Sequence, residues 1–171
     1  MRSEEPHAGR VPAITLKLSV RDLTRDDLAL CGWAGPPTHL THVASALGRR
    51  RTGGVDYLAV CPPSGHPVAL GGVDYAVVAD AGTLWQLTVH PALRSCGIGS
   101  MLIHALERRI VARGLRRAEL SVEEDNPRAR KLYERLEYVP CGQRVEAWDT
   151  EGPGGSPVWY ETVCTVMRKD L

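Results

Sequence analysis

The chain has 171 residues and is nearly neutral, with a formal net charge of +1. This length predicts one domain with a core of its own. The small net charge gives no electrostatic reason to expect nucleic acid or a membrane as the main partner.

Cysteine and histidine spacing excludes a disulfide framework and disfavours a metal site. The five cysteines lie far apart in no Cys-x-x-Cys pair, and the histidines show no spacing typical of metal ligands. Reduced thiols in a cytosolic protein without a metal are therefore expected. No apolar run reaches membrane-spanning length, and the first residues lack the apolar core of a signal peptide. We expect a cytoplasmic location.

The first half of the chain predicts the elements that precede the functional motifs. Residues 1–12 are polar with two prolines and predict a loose tail, so a single domain is expected over residues 13–171. Apolar periodicity then predicts, in chain order, a strand over 14–20, a short helix from Asp22 or Thr24 through Leu30, a helix over 40–50, a strand over 55–61 and its hairpin partner over 68–78.

The second half predicts alternating strands and helices. Apolar spacing and Gly or Pro punctuation mark each boundary. The predicted elements are a strand that carries Leu87 and Val89, a helix from Ile98 that ends at Gly114, a strand over 117–123, a helix that starts at Asn126, and two last strands over 139–148 and 158–167.

The segment from Leu87 to Ser100 predicts an anion-binding site between a strand and a helix. Pro91 cannot continue a central strand, whereas Gly97 and Gly99 let the backbone adopt φ > 0 and approach a ligand closely. The following helix begins with N–H groups that have no acceptor inside the helix, at the positive end of its dipole. Such a helix start is typical of a phosphate or pyrophosphate site.

A second segment predicts a helix that starts at Asn126 and carries Tyr133 seven residues on. Asn126 is a favourable N-cap, and Pro127 suits the first turn. Together with the pattern Arg94-x-x-Gly97-x-Gly99, this segment resembles the two motif blocks of the GCN5-related N-acetyltransferases, the GNAT superfamily. Members usually have Leu-Gly-Tyr or Leu-Gly-Phe after the tyrosine, and this chain departs from that pattern with Leu136-Glu137-Tyr138.

The resemblance implies an α/β (α+β) GNAT fold, in which a mixed, strongly twisted sheet of about six to seven strands is flanked by about four helices. It implies acetyl-CoA as the co-substrate, without a metal, and acetyl transfer to a primary amine by direct attack in a ternary complex. Backbone groups of Leu87 and Val89 would bond the pantetheine, and one of their N–H groups would polarise the thioester carbonyl. The positions that match cofactor contacts are Leu87, Thr88, Val89, Arg94, Ser95, Cys96, Gly97, Ile98, Gly99, Ser100 and Asn126.

Of the catalytic residues that the resemblance implies, this chain has the tyrosine but not the glutamate. Tyr133 matches a tyrosine near the CoA sulfur, whose phenol would protonate the departing thiolate. Many members have a glutamate base five residues before the asparagine, but Ser121 occupies that position here. Glu123 lies on the same strand face and is the candidate substitute. A water chain to bulk solvent is an equal alternative, whereas Gln86 cannot act as a base.

Several alternatives stay open at this point. A dinucleotide site is disfavoured because Leu102 stands at the third glycine of Gly-x-Gly-x-x-Gly, and the P-loop Gly-Lys-Ser/Thr is missing. Cys96 at a helix start could be a reactive thiol, and Tyr133 could be an ordinary core residue. The alternative function is a GNAT-like acyl-CoA sensor or interaction module without turnover, and Ser121 is the feature in its favour.

The parts that wall the acceptor site in this family are aromatic and acidic in this chain. An aromatic and acidic rim would suit a cationic amine, which can belong to a small molecule or to a peptide. Because members often exchange their last strand between subunits, a homodimer is expected. The rim residues are Trp33, His39, His42, Trp148, Asp149, Glu151, Trp159 and Tyr160.

Overall fold

The computed structural model describes residues 14–171, which build one seven-stranded sheet with an α-helix layer on each face. The predicted tail over residues 1–12 lies outside the described residues. The strands are β1 (Ser19–Asp22), β2 (Val55–Cys61), β3 (Ala69–Asp74), β4 (Gly82–Val89), β5 (Arg117–Glu123), β6 (Val139–Glu151) and β7 (Pro157–Asp170). The helices are α1 (Pro37–Arg50), α2 (Ile98–Ala112) and α3 (Pro127–Arg135).

The sheet is mixed, as the resemblance implied. Its strand order is β1-β2-β3-β4-β5-β7-β6. Only the neighbours β4 and β5 run parallel, and every other pair is antiparallel. The parallel pair needs a crossover connection, which α2 provides.

The two faces of the sheet carry separate apolar clusters. On one face α2 packs Leu102, Leu106 and Ile110 against the central strands, at the spacing of one helix face. On the opposite face α1 covers a second cluster that contains Tyr57 and Leu70. The functional motifs before α2 and α3 therefore lie on one side of the sheet, and α1 lies on the other.

The predicted first strand is wrong over residues 14–18. Ile14 and Leu16 are 91% and 52% exposed, and β1 begins only at Ser19. The partner strand β2 ends at Cys61, and Pro62–Pro63 follow it with no N–H to donate to a ladder. The alternation of apolar residues over 14–20 could not show that the partner strand β2 ends at Cys61.

Residues 14–171 form three α-helices rather than about four. The predicted short helix is a 3₁₀ helix over Asp26–Leu30, and a second 3₁₀ turn, Gly32–Ala34, follows it before Pro36. The last two strands are longer than predicted, because β6 and β7 pair with each other along their whole lengths.

Asp27 anchors the first 3₁₀ turn to β1, and its ionisation makes the stability of the fold depend on pH. Arg21 donates to both carboxylate oxygens of Asp27 at 2.7 Å, which lowers the pKa of Asp27 from 3.8 to about 2. Because the folded pKa lies below the unfolded one, this ion pair stabilises the fold above about pH 4 and is lost between about pH 4 and 2.

We expect Asp27→Asn to lower the free energy of unfolding by about 2 kcal/mol at neutral pH, measured by urea denaturation. The difference from the wild type should shrink as the pH falls to about 2. The neighbouring Asp26→Asn is the control, because Asp26 is exposed. A difference that stayed constant with pH would contradict this role of the Asp27 carboxylate.

Candidate active site: the cleft beside the open edge of β4

The site begins where β4 and β5 part. Their register runs only from Gly82↔Ala118 to Leu84↔Leu120, after which the two strands continue without pairing to each other. The second half of β4 therefore keeps β3 as a neighbour on one edge and leaves the other edge open. An open strand edge carries backbone N–H and C=O groups that can bond an extended ligand.

The first turn of α2 points its free N–H groups into the space beside this edge. Gly97 precedes the helix with φ 79°, a left-handed conformation that favours glycine, and no side chain caps the first turn. A Cβ on Gly99 would lie 3.4 Å from Leu132 Cδ2, so α2 and α3 approach closely here. The helix start keeps its hydrogen-bonding capacity for a ligand.

α3 forms the opposite wall. Asn126 Oδ1 accepts from the Ala129 N–H at 3.1 Å and caps the helix, as predicted from its position before Pro127. Arg128 Nη2 donates to Ser95 Oγ at 2.8 Å, which ties the start of α3 to the loop before α2. The two predicted motif blocks thus meet in space.

These walls enclose a cleft of about 720 Å³. Of the residues predicted from the sequence, the lining includes Leu87, Thr88, Val89, Arg94, Ser95, Gly97, Gly99, Ser100, Asn126 and Tyr133. The side chains of Cys96 and Ile98 lie elsewhere, since Cys96 is exposed and Ile98 is buried in the core. Only the backbone of these two residues is available to a ligand at the helix start.

The cleft is cationic, a property that sequence reasoning missed. Arg128, Lys131 and Arg135 line it together with Arg94, and none of the described lining residues is acidic. Arg128 and Lys131 are three residues apart and share a helix face. This spacing by itself predicts a cationic face on α3. This lining favours a ligand with several negative charges.

Tyr133, in the last turn of α3, contributes a protonated phenol to the cleft. It is 8% exposed and lines the cleft, and burial raises the pKa of its hydroxyl to about 12. Its ring lies 6.3 Å from that of Tyr138, centroid to centroid. At neutral pH the phenol is neutral and can donate a proton.

Glu123 does not line this cleft. It lies at the end of β5 with Ser121 and Glu119 on the same strand face, where Glu119 accepts from Arg144 Nη2 at 2.7 Å. Burial, and then the charges of Asp125 and Glu146, raise the pKa of Glu123. The Ser121 hydroxyl oxygen is buried and has no hydrogen-bond partner among the described residues.

Two of the predicted rim residues pack on aromatic neighbours with tilted rings. Trp33 packs on His90 at 5.2 Å between ring centroids, and Trp148 packs on Tyr160 at 4.9 Å, both with an angle of 52° between the ring planes. Trp159 follows in the opposite orientation along β7 and is 64% exposed.

Two polar rim residues lie at the start of α1. Glu151 accepts from the Thr38 N–H at 3.3 Å and joins the β6–β7 hairpin to this helix. Burial, with the charge of His42, lowers the pKa of His39. Glu151 therefore has a structural role, and His39 is neutral at physiological pH.

The described residues contain neither a membrane-spanning helix nor a cluster of metal ligands. No helix within residues 14–171 is long and apolar enough to cross a membrane. In the same part of the chain, no three His, Cys, Asp or Glu side chains are grouped so that they could hold a metal ion.

Comparison with known families identifies the fold. The model of the acetyltransferase (GNAT) family matches residues 26–138, which is more than half of the chain and includes both motif blocks. The chain belongs to the GNAT acetyltransferase family. The resemblance read from Arg94-x-x-Gly97-x-Gly99 and from the Asn126 segment is confirmed.

Individual relatives are more distant. An acetyltransferase of Pectobacterium atrosepticum is 41% identical over 74 residues, which are 42% of this chain and 50% of the relative, so the match spans half of the relative's length. The ribosomal-protein-S18-alanine N-acetyltransferase of Escherichia coli superposes with a TM-score of 0.66 at 21% identity, over 90% of this chain and 94% of the other. An N-acetyltransferase of Thermoplasma acidophilum in complex with coenzyme A gives 0.63 at 14% identity, over 91% and 99%.

Proposed function

We propose that this protein is an N-acetyltransferase that moves the acetyl group of acetyl-CoA to a primary amine by direct attack in a ternary complex. The single observation that carries the proposal is the cleft beside the open edge of β4, because it joins an uncapped helix start, four cationic side chains and a buried phenol. GNAT family membership and the solved relative in complex with coenzyme A support the same co-substrate.

The residues of the cleft fit the charged end of acetyl-CoA. We assign the pyrophosphate to the start of α2, through the backbone of Ser95, Cys96, Gly97, Ile98, Gly99 and Ser100 and the guanidinium of Arg94. Arg128, Lys131 and Arg135 offer charge to the phosphates from the side of α3. The amide of Asn126, whose oxygen caps α3, would contribute its N–H groups.

The open edge of β4 fits the pantetheine arm. Backbone groups of Leu87 and Val89, with Thr88 between them, would bond its amides as an added strand does. One of these N–H groups would lie against the thioester oxygen, where it stabilises the negative charge that develops during attack. Such a donor is worth about 3 kcal/mol in other acyl transfers.

Two groups of this chain would move protons during transfer. The amine nitrogen attacks the thioester carbon, the C–S bond breaks, and the thiolate takes a proton from the Tyr133 phenol. The Glu123 carboxylate, whose pKa is raised, would take the proton that the amine loses, directly or through a water held at the unpartnered Ser121 hydroxyl. A water chain to bulk solvent is the alternative route for this proton.

The second candidate function is an acyl-CoA sensor or interaction module without turnover. The observation in its favour is Ser121, which leaves the position of the usual glutamate without a base. Release of free CoA thiol in the presence of a broad amine panel separates the two functions. Binding without any thiol release would favour the sensor.

The remaining expectations concern partners and location. We propose a primary amine on a small molecule or a peptide as the acceptor, with neither nucleic acid nor a membrane as a partner. A homodimer through the last strands and a cytoplasmic location belong to the same proposal. The outer edge of β6 is unpaired in the described chain and is available to a second copy.

Gly97→Glu tests the cofactor site. The new carboxylate would occupy the space in front of the phosphates, so we expect acetyl-CoA binding to be abolished. In the wild type, acetyl-CoA at 100 times its dissociation constant should add about 2.7 kcal/mol and raise the melting temperature by roughly 5–10 °C, whereas NADH and ATP should not.

Gly114→Glu is the matched control for this experiment. Gly114 lies just beyond the other end of α2 with φ 80° and with open space at its Cβ, as at Gly97. Both variants carry the same backbone strain and charge, but only Gly97→Glu should lose the shift. Equal shifts in the two variants would contradict the assigned site.

Tyr133→Phe tests the proton donor. The substitution keeps the buried ring and removes the hydroxyl, so we expect an unchanged melting shift with acetyl-CoA and a kcat lower by roughly 10²–10⁴-fold. Tyr75→Phe, just after β3 and outside the cleft, is the control and should keep the wild-type kcat. An unaltered kcat in Tyr133→Phe would remove Tyr133 from the mechanism.

Glu123→Gln tests the base through the pH profile. A base must be deprotonated, so kcat/KM of the wild type should fall as the pH drops through a pKa above the ordinary glutamate value of 4.5. Glu123→Gln should lower kcat/KM and remove this acidic limb, whereas the neighbouring Glu124→Gln should retain it. A limb that persists in Glu123→Gln would favour the water chain.

A further inference from the structure

A bulge in β4 places Gln86 at the point where the strands part. Leu70 pairs with Thr88 and Gly72 pairs with Trp85, so the two residues Gln86 and Leu87 lie opposite the single residue Gly71. A Cβ on Gly71 would lie 2.6 Å from Leu87 Cδ2, and one on Gly72 would lie 2.8 Å from Tyr57 Cδ2. The two glycines of β3 make room for the bulge.

Gln86 adopts a backbone conformation that glutamine does not favour. Its φ is 53°, in the left-handed region that glycine enters without cost. Strained residues of this kind persist where the surrounding structure holds them, and they are common at functional sites. A glutamine therefore occupies this position although a glycine would adopt the backbone conformation without strain.

The carboxamide of Gln86 is oriented by a buried partner. The Tyr57 hydroxyl donates to Gln86 Oε1 at 3.2 Å, and Tyr57 is completely buried with its ring 5.2 Å from that of Trp85. Burial raises the pKa of Tyr57 far above its usual range, so the hydroxyl stays a donor. Within residues 14–171 no protein group accepts from the Gln86 amide nitrogen, which leaves two N–H groups for another molecule.

The half-buried Gln86 side chain lies on the side of the sheet opposite to the cofactor cleft. Its partner Tyr57 and the adjacent Trp85 belong to the cluster beneath α1, whereas Leu87 packs towards α2 and lines the cleft. Leu87 therefore faces the proposed acetyl group from the cleft side of the sheet. Gln86, the residue before it, approaches the same point from the opposite side. Because Leu87 lines the cleft next to Gln86 in the chain, a group that bonds the Gln86 amide would lie near an amine that reaches the proposed thioester position.

We propose that Gln86 determines acceptor specificity by donating its amide N–H groups to an oxygen three bonds from the acceptor's amine nitrogen. This inference rests on the proposed acetyl transfer. The oxygen can be a carbonyl, as in an aminoacyl group, or a hydroxyl, as in an amino alcohol, because both accept hydrogen bonds. An alkylamine of the same shape leaves the donors unpaired and is a poorer substrate.

The test compares three matched amines: L-alaninamide, L-alaninol and sec-butylamine. The full chain is assayed for release of CoA thiol, and the readout is the kcat/KM of each oxygen-bearing amine divided by that of sec-butylamine. Gln86→Glu removes both donors but still accepts from Tyr57, so folding is conserved. Any attraction of the new carboxylate for the ammonium group cancels in the ratio.

We expect the wild type to prefer at least one oxygen-bearing amine, and Gln86→Glu to lower that ratio about tenfold. The arm that loses its preference, alaninamide or alaninol, identifies the oxygen. The matched control Gln143→Glu makes the same change at the other glutamine, which is exposed on β6, and should keep the wild-type ratio. The melting shift with acetyl-CoA should be the same in all three proteins.

Three outcomes overturn the inference. A wild type that prefers sec-butylamine, or a ratio that Gln86→Glu leaves unchanged, contradicts the role of Gln86 while acetyl transfer stands. If acetyl-CoA binds but no amine releases thiol, the proposed function fails and this inference fails with it.

A second measurement separates specificity from structural support. In the Tyr57→Phe background, where the hydroxyl no longer needs a partner, Gln86→Gly should relieve the left-handed strain and raise the melting temperature by about 2–4 °C. The same variant should lose the preference for the oxygen-bearing amine. A fall in both stability and preference would assign Gln86 a structural role and overturn the inference.

Discussion

The parting of β4 and β5 after three paired residues is the constraint on which the site depends. Two parallel strands in the middle of a sheet normally satisfy each other's backbone groups, and here the bulge at Gln86 ends that pairing. The open edge is acceptable only if a ligand or solvent bonds it. The same bulge places Leu87 on the cleft side of the sheet and Gln86 on the opposite side, so one local irregularity affects both sides of the candidate site.

The two sides of the parted strands differ in charge. On the side of α2 and α3 the cleft carries Arg94, Arg128, Lys131 and Arg135, without a lining carboxylate among the described residues. Near the end of β5, Glu123 lies close enough to Asp125 and Glu146 for their charges to raise its pKa. A near-zero net charge therefore hides a cationic cleft and an acidic region near the end of β5. Only the separation of these groups in space produces two regions of opposite charge.

The sequence predicted those parts of the site that depend on residues close together in the chain. It did not predict those that depend on residues far apart in the chain. The glycines at 97 and 99 and the cap at Asn126 have local causes, and the structure brings their segments together. The raised pKa of Tyr133 comes from burial by elements far along the chain, and the orientation of Gln86 comes from Tyr57, 29 residues before it. No spacing in the sequence encodes either effect. The predicted catalytic and binding roles themselves stay predictions.

The sequence by itself placed the two motif blocks, because periodicity, glycine and proline act over a few residues. The resemblance of these blocks to a known family then supplied the family and the mixed sheet. The sequence misplaced the first strand, since a strand requires a partner and β2 had ended before Pro62. It overstated the helix before α1, where 3₁₀ turns around Asp27 replace it. Tertiary structure alone decided where β4 leaves β5, which cations share the cleft and which face Gln86 and Glu123 occupy, because these features arise from contacts between residues that are distant in the chain.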